Sequence, residues 1–359
     1  MKKENWFSRN SRIILSILGC IVVIGLCCVP FICDNWFFGE KTTIAEKLKY
    51  IGAFIGGILL TVNAYFIYKR TNELNRSNNL TAKGQLDTRF KDAATLLAQG
   101  NTSAELSGIH ALHQIAIEAS KTKDQKDYVK VIKDILTAFI RDNSVIEYKK
   151  DDNGKILCDK FHYFIVEKAN NNKSKLVFQT IVDKLFKDDE CEIYAKYPKD
   201  LSETVLIEMD FSDAKLQNVH FKGAQLQWIK FEGAQLQNVK FWNTQLQNAN
   251  FTNAEFTNVE FQAIQLQDAK FSNAELEKVE FYNVLLENAK FWYARLNNVK
   301  FILAQLENVN FYKAHNIDKV LFQKNSWNNM TNFEGTAFEN KTIEELTEIM
   351  GNPPTPLNE

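Results

Sequence analysis

The sequence contains little cysteine, little proline and no excess of either charge. Its 359 residues include 6 cysteines and 5 prolines, and 43 Lys and Arg nearly balance 44 Asp and Glu. So few cysteines do not form a disulfide scaffold in a chain of this length. Because no CxxC pair is present, a structural zinc site has no ligand set. A net charge of -1 argues against binding to nucleic acid through bulk positive charge.

Catalytic motifs are also missing, since the sequence holds no GxSxG, P-loop, HExxH or GxGxxG. We therefore predict no catalytic residue, no cofactor and no metal. His110 and His113 could share a helix face, but only Cys158 and Glu118 are loosely available as further ligands. A solvated or half-buried histidine pair is the favoured interpretation. An enzyme within residues 75–200 is an alternative that helical stripes and polar composition disfavour.

Two uncharged apolar runs, Ile13 to Cys33 and Tyr50 to Tyr68, lie near the N-terminus. A helix needs about 20 apolar residues to cross the hydrocarbon core of a bilayer. We therefore predict that residues 1–73 form a transmembrane hairpin with spans at about 13–33 and 50–68. A cleaved signal peptide, the alternative for the first run, has a shorter apolar core of about 7–15 residues.

Basic residues flank this predicted hairpin, and cytoplasmic segments carry an excess of Lys and Arg. They are Lys2, Lys3, Arg9, Arg12, Lys69, Arg70 and Arg76. The pattern predicts a protein of the bacterial inner membrane, with both termini and the C-terminal region in the cytoplasm. Gly52 and Gly56 form a GxxxG motif, which lets helix backbones approach closely. Their partner is either a second copy, giving a homo-oligomer, or the first span of the same chain.

Residues 74–145 have the pattern of a small helical module, with apolar residues at helical spacing in three segments. Thr102 and Glu105 form a capping box that predicts the start of the second helix. Residues 146–200 are polar around Asn153-Gly154, and we predict a linker there, followed by a capping helix after Ser174.

A five-residue repeat dominates residues 201–323. All 21 positions from Phe211 to Phe311 in steps of five hold Phe or Leu, and the residue two places earlier is mostly small or β-branched. A period of five fits neither a helix nor a strand, so the chain must turn by a constant angle in each repeat. A right-angle turn predicts a square coil of about 20 residues with these side chains inside, stacked at the spacing of a sheet. The predicted core includes Phe211, Leu216, Phe221, Leu226, Phe231, Phe241, Phe251, Phe261, Phe271, Phe281, Phe291, Phe301 and Phe311.

The repeat loses its phase near the C-terminus. Asn316 occupies the next central position, and Ile317 with Phe322 predicts a slip of one residue. Since solenoid ends need caps, we predict that residues 324–359 form a cap and a tail. The cap would be a short amphipathic helix from Thr342 to Met350.

Units such as AKLQN, AQLQN, ANFTN and AKFSN resemble the pentapeptide-repeat family, whose repeats read A(N/D)LXX. The resemblance implies an all-β right-handed quadrilateral β-helix, preceded here by the transmembrane hairpin and the helical module. Upstream, LDTRFKDAATLLAQ, SGIHALHQIAIEAS and VIKDILTAFIRDN resemble the helical segment of membrane-anchored bacterial pentapeptide-repeat proteins. The whole chain is therefore similar to that group.

The function that these features predict is a non-enzymatic scaffold for protein–protein interaction. Some members of the family imitate DNA with an acidic rod and bind type II topoisomerases. Residues 211–311 hold ten acidic and nine basic side chains, which is too balanced for phosphate mimicry, so we expect no nucleic-acid partner.

Large side chains follow several central residues and should point outward, where clusters mark partner surfaces. They are Trp242, Tyr282, Trp292, Ile302 and Tyr312. Tyr282 and Ile302 should adjoin on one side of the coil, and Trp292 and Tyr312 on the opposite side. Coverage of these residues by the linker or the C-terminal segment is the alternative.

Overall fold

A computed structural model of the chain describes residues 43–122, 125–158, 165–328 and 330–351. Contacts divide the chain into two units, with the boundary after Gly84. The described α-helices are α1 (Ile44–Leu97), α2 (Thr102–Ser120), α3 (Asp127–Asp142), α4 (Lys175–Val182) and α5 (Ile343–Met350). The described strands are β1 (Ser144–Tyr148), β2 (Val166–Asn171), β3 (Lys199–Asp200), β4 (Lys215–Gln217), β5 (Val219–His220), β6 (Gln235–Gln237), β7 (Lys240–Trp242), β8 (Glu255–Gln265), β9 (Glu275–Leu285), β10 (Arg295–Asn297), β11 (Lys300–Ile302) and β12 (Leu321–Gln323).

The first unit contains an apolar stretch of α1 whose side chains are mostly exposed. Phe54 is 63% exposed and Leu60 is 72% exposed. Among the described residues, α1 is the one helix that is long and apolar enough to cross a membrane. It includes the predicted span at 50–68, whereas the predicted span at 13–33 lies outside the described residues. A single candidate helix is thus found, and the two-helix hairpin stays a prediction.

In the second unit, α2, α3 and α4 pack through buried Ile109, Leu112, Leu136 and Phe178. Gly108 brings α2 close to the end of α1, because a Cβ there would lie 2.7 Å from the backbone nitrogen of Leu97. This close approach explains why the position has no side chain.

The predicted capping box at Thr102 is wrong. Asn101 is the N-cap of α2, and its Oδ1 accepts a hydrogen bond from the backbone nitrogen of Ala104 at 2.9 Å. Glu105 is instead buried and accepts a hydrogen bond from Nζ of Lys173 at 2.5 Å. The carboxylate therefore pairs with the ammonium group of a residue far away in the sequence. It does not accept a hydrogen bond at the start of its own helix.

Residues 146–200, expected to be a linker and a capping helix, also contain most of a β-hairpin. β1 and β2 pair in antiparallel orientation, with Ser144 opposite Asn171. The hydroxyl of Tyr148 donates to Oε2 of Glu203 at 2.7 Å, which connects the hairpin to the next segment. The strands are mostly half-exposed, so their polar composition indicated a linker although their backbones pair.

The predicted histidine pair is divided between surface and core. His110 is exposed, whereas His113 is buried and its Nδ1 lies 3.1 Å from the hydroxyl oxygen of Tyr194. Burial lowers the pKa of His113 to about 4, and the positive charge of Lys184 adds to this effect. The negative charges of Asp188 and Glu190 oppose it without reversing it, and His110 lowers it slightly further.

Because His113 is buried in its neutral form, we predict that the folded protein loses stability in acid. The folded-state pKa of His113, about 4, lies below the ordinary value of 6.5. Between these values the unfolded chain binds the proton more readily, so the free energy of unfolding falls as the pH drops below 6.5. We expect His113→Gln to reduce the difference between guanidinium unfolding midpoints measured at neutral pH and near pH 5. An unchanged difference would contradict a neutral buried imidazole.

The repeats form a parallel β-solenoid of about six turns. Strands in successive turns pair with a separation of 20 residues, so that Phe261 lies opposite Phe281 and Val259 opposite Val279. All thirteen predicted core residues are buried. Phe256 occupies a column of leucines, between Leu236 and Leu276. The observed register is the one that a square turn every five residues requires.

The turn itself is made by the second residue after each central Phe or Leu. Non-glycine residues at this position have φ from 52° to 61° over residues 203–313, which is left-handed backbone. Asn is the most frequent occupant, since its short polar side chain tolerates this conformation. Stacked Asn side chains also bond to one another, as Nδ2 of Asn258 does to Oδ1 of Asn238 at 2.7 Å. The periodic Asn of the sequence is therefore a turn residue.

Both ends of the solenoid are covered. Phe186 packs against Phe211 at the first turn, with ring centroids 5.6 Å apart. At the other end, Phe322 stacks on Phe301 with a separation of 21 residues, which confirms the predicted slip of one residue. A further slip aligns Phe333 with Phe311. The predicted terminal helix is α5, which begins with a capping box at Thr342.

Candidate partner-binding surface

The outward-facing residues predicted from the repeat lie at the solenoid surface to different degrees. Tyr282 and Trp292 are each 39% exposed. Trp242, Ile302 and Tyr312 are half-buried. Two sides of the coil carry them, named here by their first central residue. The Phe211 side follows Phe211, Phe231, Phe251, Phe271, Phe291 and Phe311, and the Phe221 side follows Phe221, Phe241, Phe261, Phe281 and Phe301.

On the Phe221 side, Tyr282 and Ile302 occupy the same register position in adjacent strands. Tyr282 also lines an open groove of about 510 Å³ together with Glu260, Glu280 and Lys300. The charges of this groove are compensated within the chain, because Lys300 lies 3.5 Å from Glu280 and Lys240 lies 3.5 Å from Glu260. The groove therefore presents a neutral surface.

Trp242 does not join this cluster, because Gln262 stands between it and Tyr282 in the column. Its ring is instead covered by Nζ of Lys240, 4.8 Å from the ring centroid. The Lys240 side chain therefore leaves little of the indole face for a partner.

On the Phe211 side, the aromatic cluster is larger than the spacing predicted. Tyr293 joins Trp292 and Tyr312, and its backbone nitrogen donates to the carbonyl oxygen of Tyr312 at 2.9 Å. The two tyrosine rings meet edge to face, with centroids 5.6 Å apart and an angle of 89° between the planes. Nζ of Lys290 lies 5.2 Å from the ring centroid of Trp292.

Lys313 completes this arrangement, with Nζ 4.9 Å from the Tyr312 centroid and 5.7 Å from the Tyr293 centroid. A hydrogen bond with Tyr312 raises the pKa of Lys313, and Tyr293 adds a smaller effect in the same direction. The lysine is therefore charged at neutral pH. We call Lys290, Trp292, Tyr293, Tyr312 and Lys313 the cationic aromatic patch.

Sequence reasoning missed Tyr293 because it considered only the residue directly after each central position. The structure also exposes Trp228 (57%), Tyr293 (44%) and Leu303 (41%) at the turn position, with φ of 61°, 57° and 53°. Left-handed backbone is unfavourable for bulky side chains, so these three residues stand out among the turn positions. One sequence signal could have identified these three exposed residues. At their turn positions Trp, Tyr or Leu stands where Asn or Gly is most common.

Elsewhere in the described residues, no group of three His, Cys, Asp or Glu side chains is arranged to hold a metal. Cys158 is exposed and Cys191 is buried, and both are free thiols. Burial raises the pKa of the Cys191 thiol, which makes this group less reactive. The surface of the coil is therefore the feature of the described chain with the clearest capacity for binding.

Comparison with known proteins identifies the repeat. A model described as "Pentapeptide repeat region" matches residues 199–251 and 234–291, and a model described as "Pentapeptide repeats (8 copies)" matches residues 280–315. Residues 199–315 are therefore a pentapeptide-repeat region, and they form a parallel β-helix. No curated protein matches the chain.

Solved structures of other pentapeptide-repeat proteins are similar to this chain at low identity. A thylakoid-lumen protein of Arabidopsis thaliana is 23% identical over 28% of this chain, with a TM-score of 0.21, and the chain spans 63% of that protein's length. QnrB1, a plasmid-mediated fluoroquinolone resistance protein, is 17% identical over 37% of this chain and 79% of its own, with a TM-score of 0.22. HetL of the cyanobacterium Nostoc sp. strain PCC 7120, involved in the regulation of heterocyst differentiation, is 14% identical over 40% of this chain and 86% of its own, with a TM-score of 0.16.

Proposed function

We propose that this chain is a membrane-anchored, non-enzymatic scaffold that presents its pentapeptide-repeat coil to a partner protein. The cationic aromatic patch is the observation that carries this proposal. Its aromatic residues directly follow Phe291 and Phe311, whose stacked rings have centroids 5.2 Å apart. Aromatic side chains on a preformed surface supply large contact areas at little entropic cost. A coil of this kind suits binding rather than catalysis.

Membrane anchoring through α1 is part of the proposal. The exposed side chains at 52–68, among them Phe54, Leu60 and Phe66, form an apolar surface that a bilayer would cover. The flanking Lys and Arg residues favour a cytoplasmic location for the coil at the bacterial inner membrane. Within the described part of the chain, a Cβ added to Gly52 or Gly56 would meet no atom within 4 Å, which leaves space for a helix partner. A second copy and the first predicted span are the two candidates.

The alternative functions have less support. DNA mimicry with topoisomerase binding requires surplus negative charge, whereas residues 211–311 carry ten acidic and nine basic side chains. An enzyme in residues 75–200 would need a constellation of reactive groups. His113, Tyr194 and Lys199, whose pKa values are strongly shifted there, are buried among core residues.

Removal of two rings from the patch should strongly reduce partner capture. We expect Trp292→Ala with Tyr312→Ala to weaken binding by about 30-fold, because truncation of an aromatic hot spot costs about 2 kcal/mol or more. The measurement is cross-linking and affinity capture of the full chain from native membranes, with quantitative mass spectrometry. Trp228→Ala is the matched control, since it removes another exposed tryptophan from a distant turn.

Capture that survives the double substitution would contradict the assignment of the patch. Loss of capture with the Trp228→Ala control would contradict it as well. Hydrogen exchange of the coil amides should be unchanged in all variants, which excludes unfolding as the cause of any loss.

A further inference from the structure

The later turns of the Phe211 side carry three lysines that form no ion pair among the described residues. Lys270 and Lys290 occupy the same register position in successive turns and form a backbone bridge. Lys313 lies in the turn beyond them. Among the described residues, no carboxylate oxygen lies within 4.0 Å of these three ammonium groups, and Glu334 acts on Lys313 only from a greater distance. Their ammonium groups are therefore available to an outside anion.

Other basic residues of the coil form ion pairs with acidic residues. Lys240, Lys300 and Arg295 each lie one turn from an acidic residue at the same register position and pair with it. Opposite charges at such positions stabilise a sheet, and like charges destabilise it. The adjacent lysines at 270 and 290 break this pattern in the turns that carry the aromatic rings. The loss of stability that adjacent like charges cause is expected where the charges serve binding.

The position of the Lys313 side chain is defined by its surroundings. A Cβ at Gly335 would lie 2.4 Å from Cγ of Lys313, so the lysine stem runs across a residue that has no side chain. Its ammonium nitrogen lies 5.7 Å from the ring centroid of Tyr293 and 4.9 Å from that of Tyr312. Lys290 is similarly held over Trp292. The cationic groups are therefore preorganised beside the aromatic surface, which lowers the entropic cost of binding.

We propose that the cationic aromatic patch binds an acidic segment of the partner protein in extended conformation. Side-chain carboxylates pair with Lys290 and Lys313, and the aliphatic parts of the segment pack on Trp292, Tyr293 and Tyr312. In the patch, the Tyr293 and Tyr312 rings lie against each other, and Lys290 and Lys313 lie over aromatic rings. A bilayer is instead engaged by apolar side chains that project from the surface, so the geometry favours a peptide. This inference rests on the proposed scaffold function and adds the chemistry of the partner.

The test uses the full chain in a neutral detergent and a fluorescent poly-L-glutamate peptide, with binding measured by anisotropy. Lys290→Glu with Lys313→Glu should weaken binding by about ten-fold or more, because two favourable charge pairs become repulsive. Lys222→Glu with Lys319→Glu is the matched control, with the same charge change at two exposed lysines outside the patch. Binding should decrease with added salt, and a poly-L-lysine peptide should not bind.

Three results would overturn the proposal. They are absent binding of poly-L-glutamate, equal weakening by both pairs of substitutions, and tighter binding of phosphatidylglycerol vesicles through the same lysines. The last result would identify a lipid surface as the ligand. If affinity capture from native membranes depends on Trp292 but poly-L-glutamate does not bind, the acidic segment is refuted. The proposed scaffold function is not refuted by that result. Failure of both experiments would refute the scaffold function itself.

Discussion

Phe271→Ala should lower the free energy of unfolding of the coil by about 3–5 kcal/mol, the usual cost of removing a buried Phe. Phe271 stacks between Phe251 and Phe291, with centroids 4.9 and 4.7 Å away, and meets Phe261 and Phe281 edge to face. The substitution removes the central ring of this column, and the neighbouring turns are held in register by their strands. A cavity therefore remains that the coil cannot close.

Guanidinium unfolding of the full chain, followed by hydrogen exchange in β8 and β9, measures this effect. Phe271→Leu is the matched control and should cost less than about 1.5 kcal/mol, because its volume change is smaller. Leucine already occupies the equivalent positions of the adjacent sides. Since each turn of a solenoid contacts only its neighbours, the loss of protection should be greatest in the turns around residue 271. A cost below about 1 kcal/mol for the alanine variant would show that the ring column is not the core of the coil.

Lys173→Met should destabilise the second unit by about 3–5 kcal/mol, because it leaves a buried carboxylate without its cation. The Glu105 side chain is 2% exposed, and Nζ of Lys173 is 2.5 Å from its Oε1. Glu105→Gln in the same chain removes the uncompensated charge and should restore a large part of the stability. The double substitution therefore separates the cost of the stranded charge from the loss of the contact.

The Arg89–Glu118 pair is the control for this prediction. Its atoms lie 2.6 Å apart, but its side chains are 48% and 38% exposed. Ion pairs at such exposure contribute at most about 1 kcal/mol, so Arg89→Met should have a small effect. Equal midpoints of thermal unfolding for Arg89→Met and Lys173→Met would contradict the buried character of the Glu105 pair.

The repeat was readable from the sequence because each turn uses the same local rule. Phe or Leu every five residues, with a small residue two places earlier, predicts the buried columns and the slip at Phe322. The hairpin at β1 and β2 was not predicted, because its strands are short and half-exposed and their apolar pattern is weak. The cap of α2 was assigned to Thr102 instead of Asn101, since both residue types serve as N-caps.

The candidate binding surface was predictable only in part. Spacing of five residues identified Trp292 and Tyr312 as outward neighbours. Tyr293 was missed because a repeat position alone does not show that its backbone is left-handed. The sequence also did not show which charged residues of the coil form ion pairs. Whether a lysine meets a glutamate or another lysine depends on the residue one turn away, and this became clear only from the observed register.

The amino-acid sequence by itself determined the period and the apolar interior of the coil, because these depend on interactions within one repeat. The apolar character of residues 50–68 is equally a local property. Tertiary structure alone decided which charges remain unpaired, which rings form the cationic aromatic patch, and that Glu105 is buried beside Lys173. Most of these features join residues of different turns or different elements, and their energies depend on distances and burial that no local pattern contains.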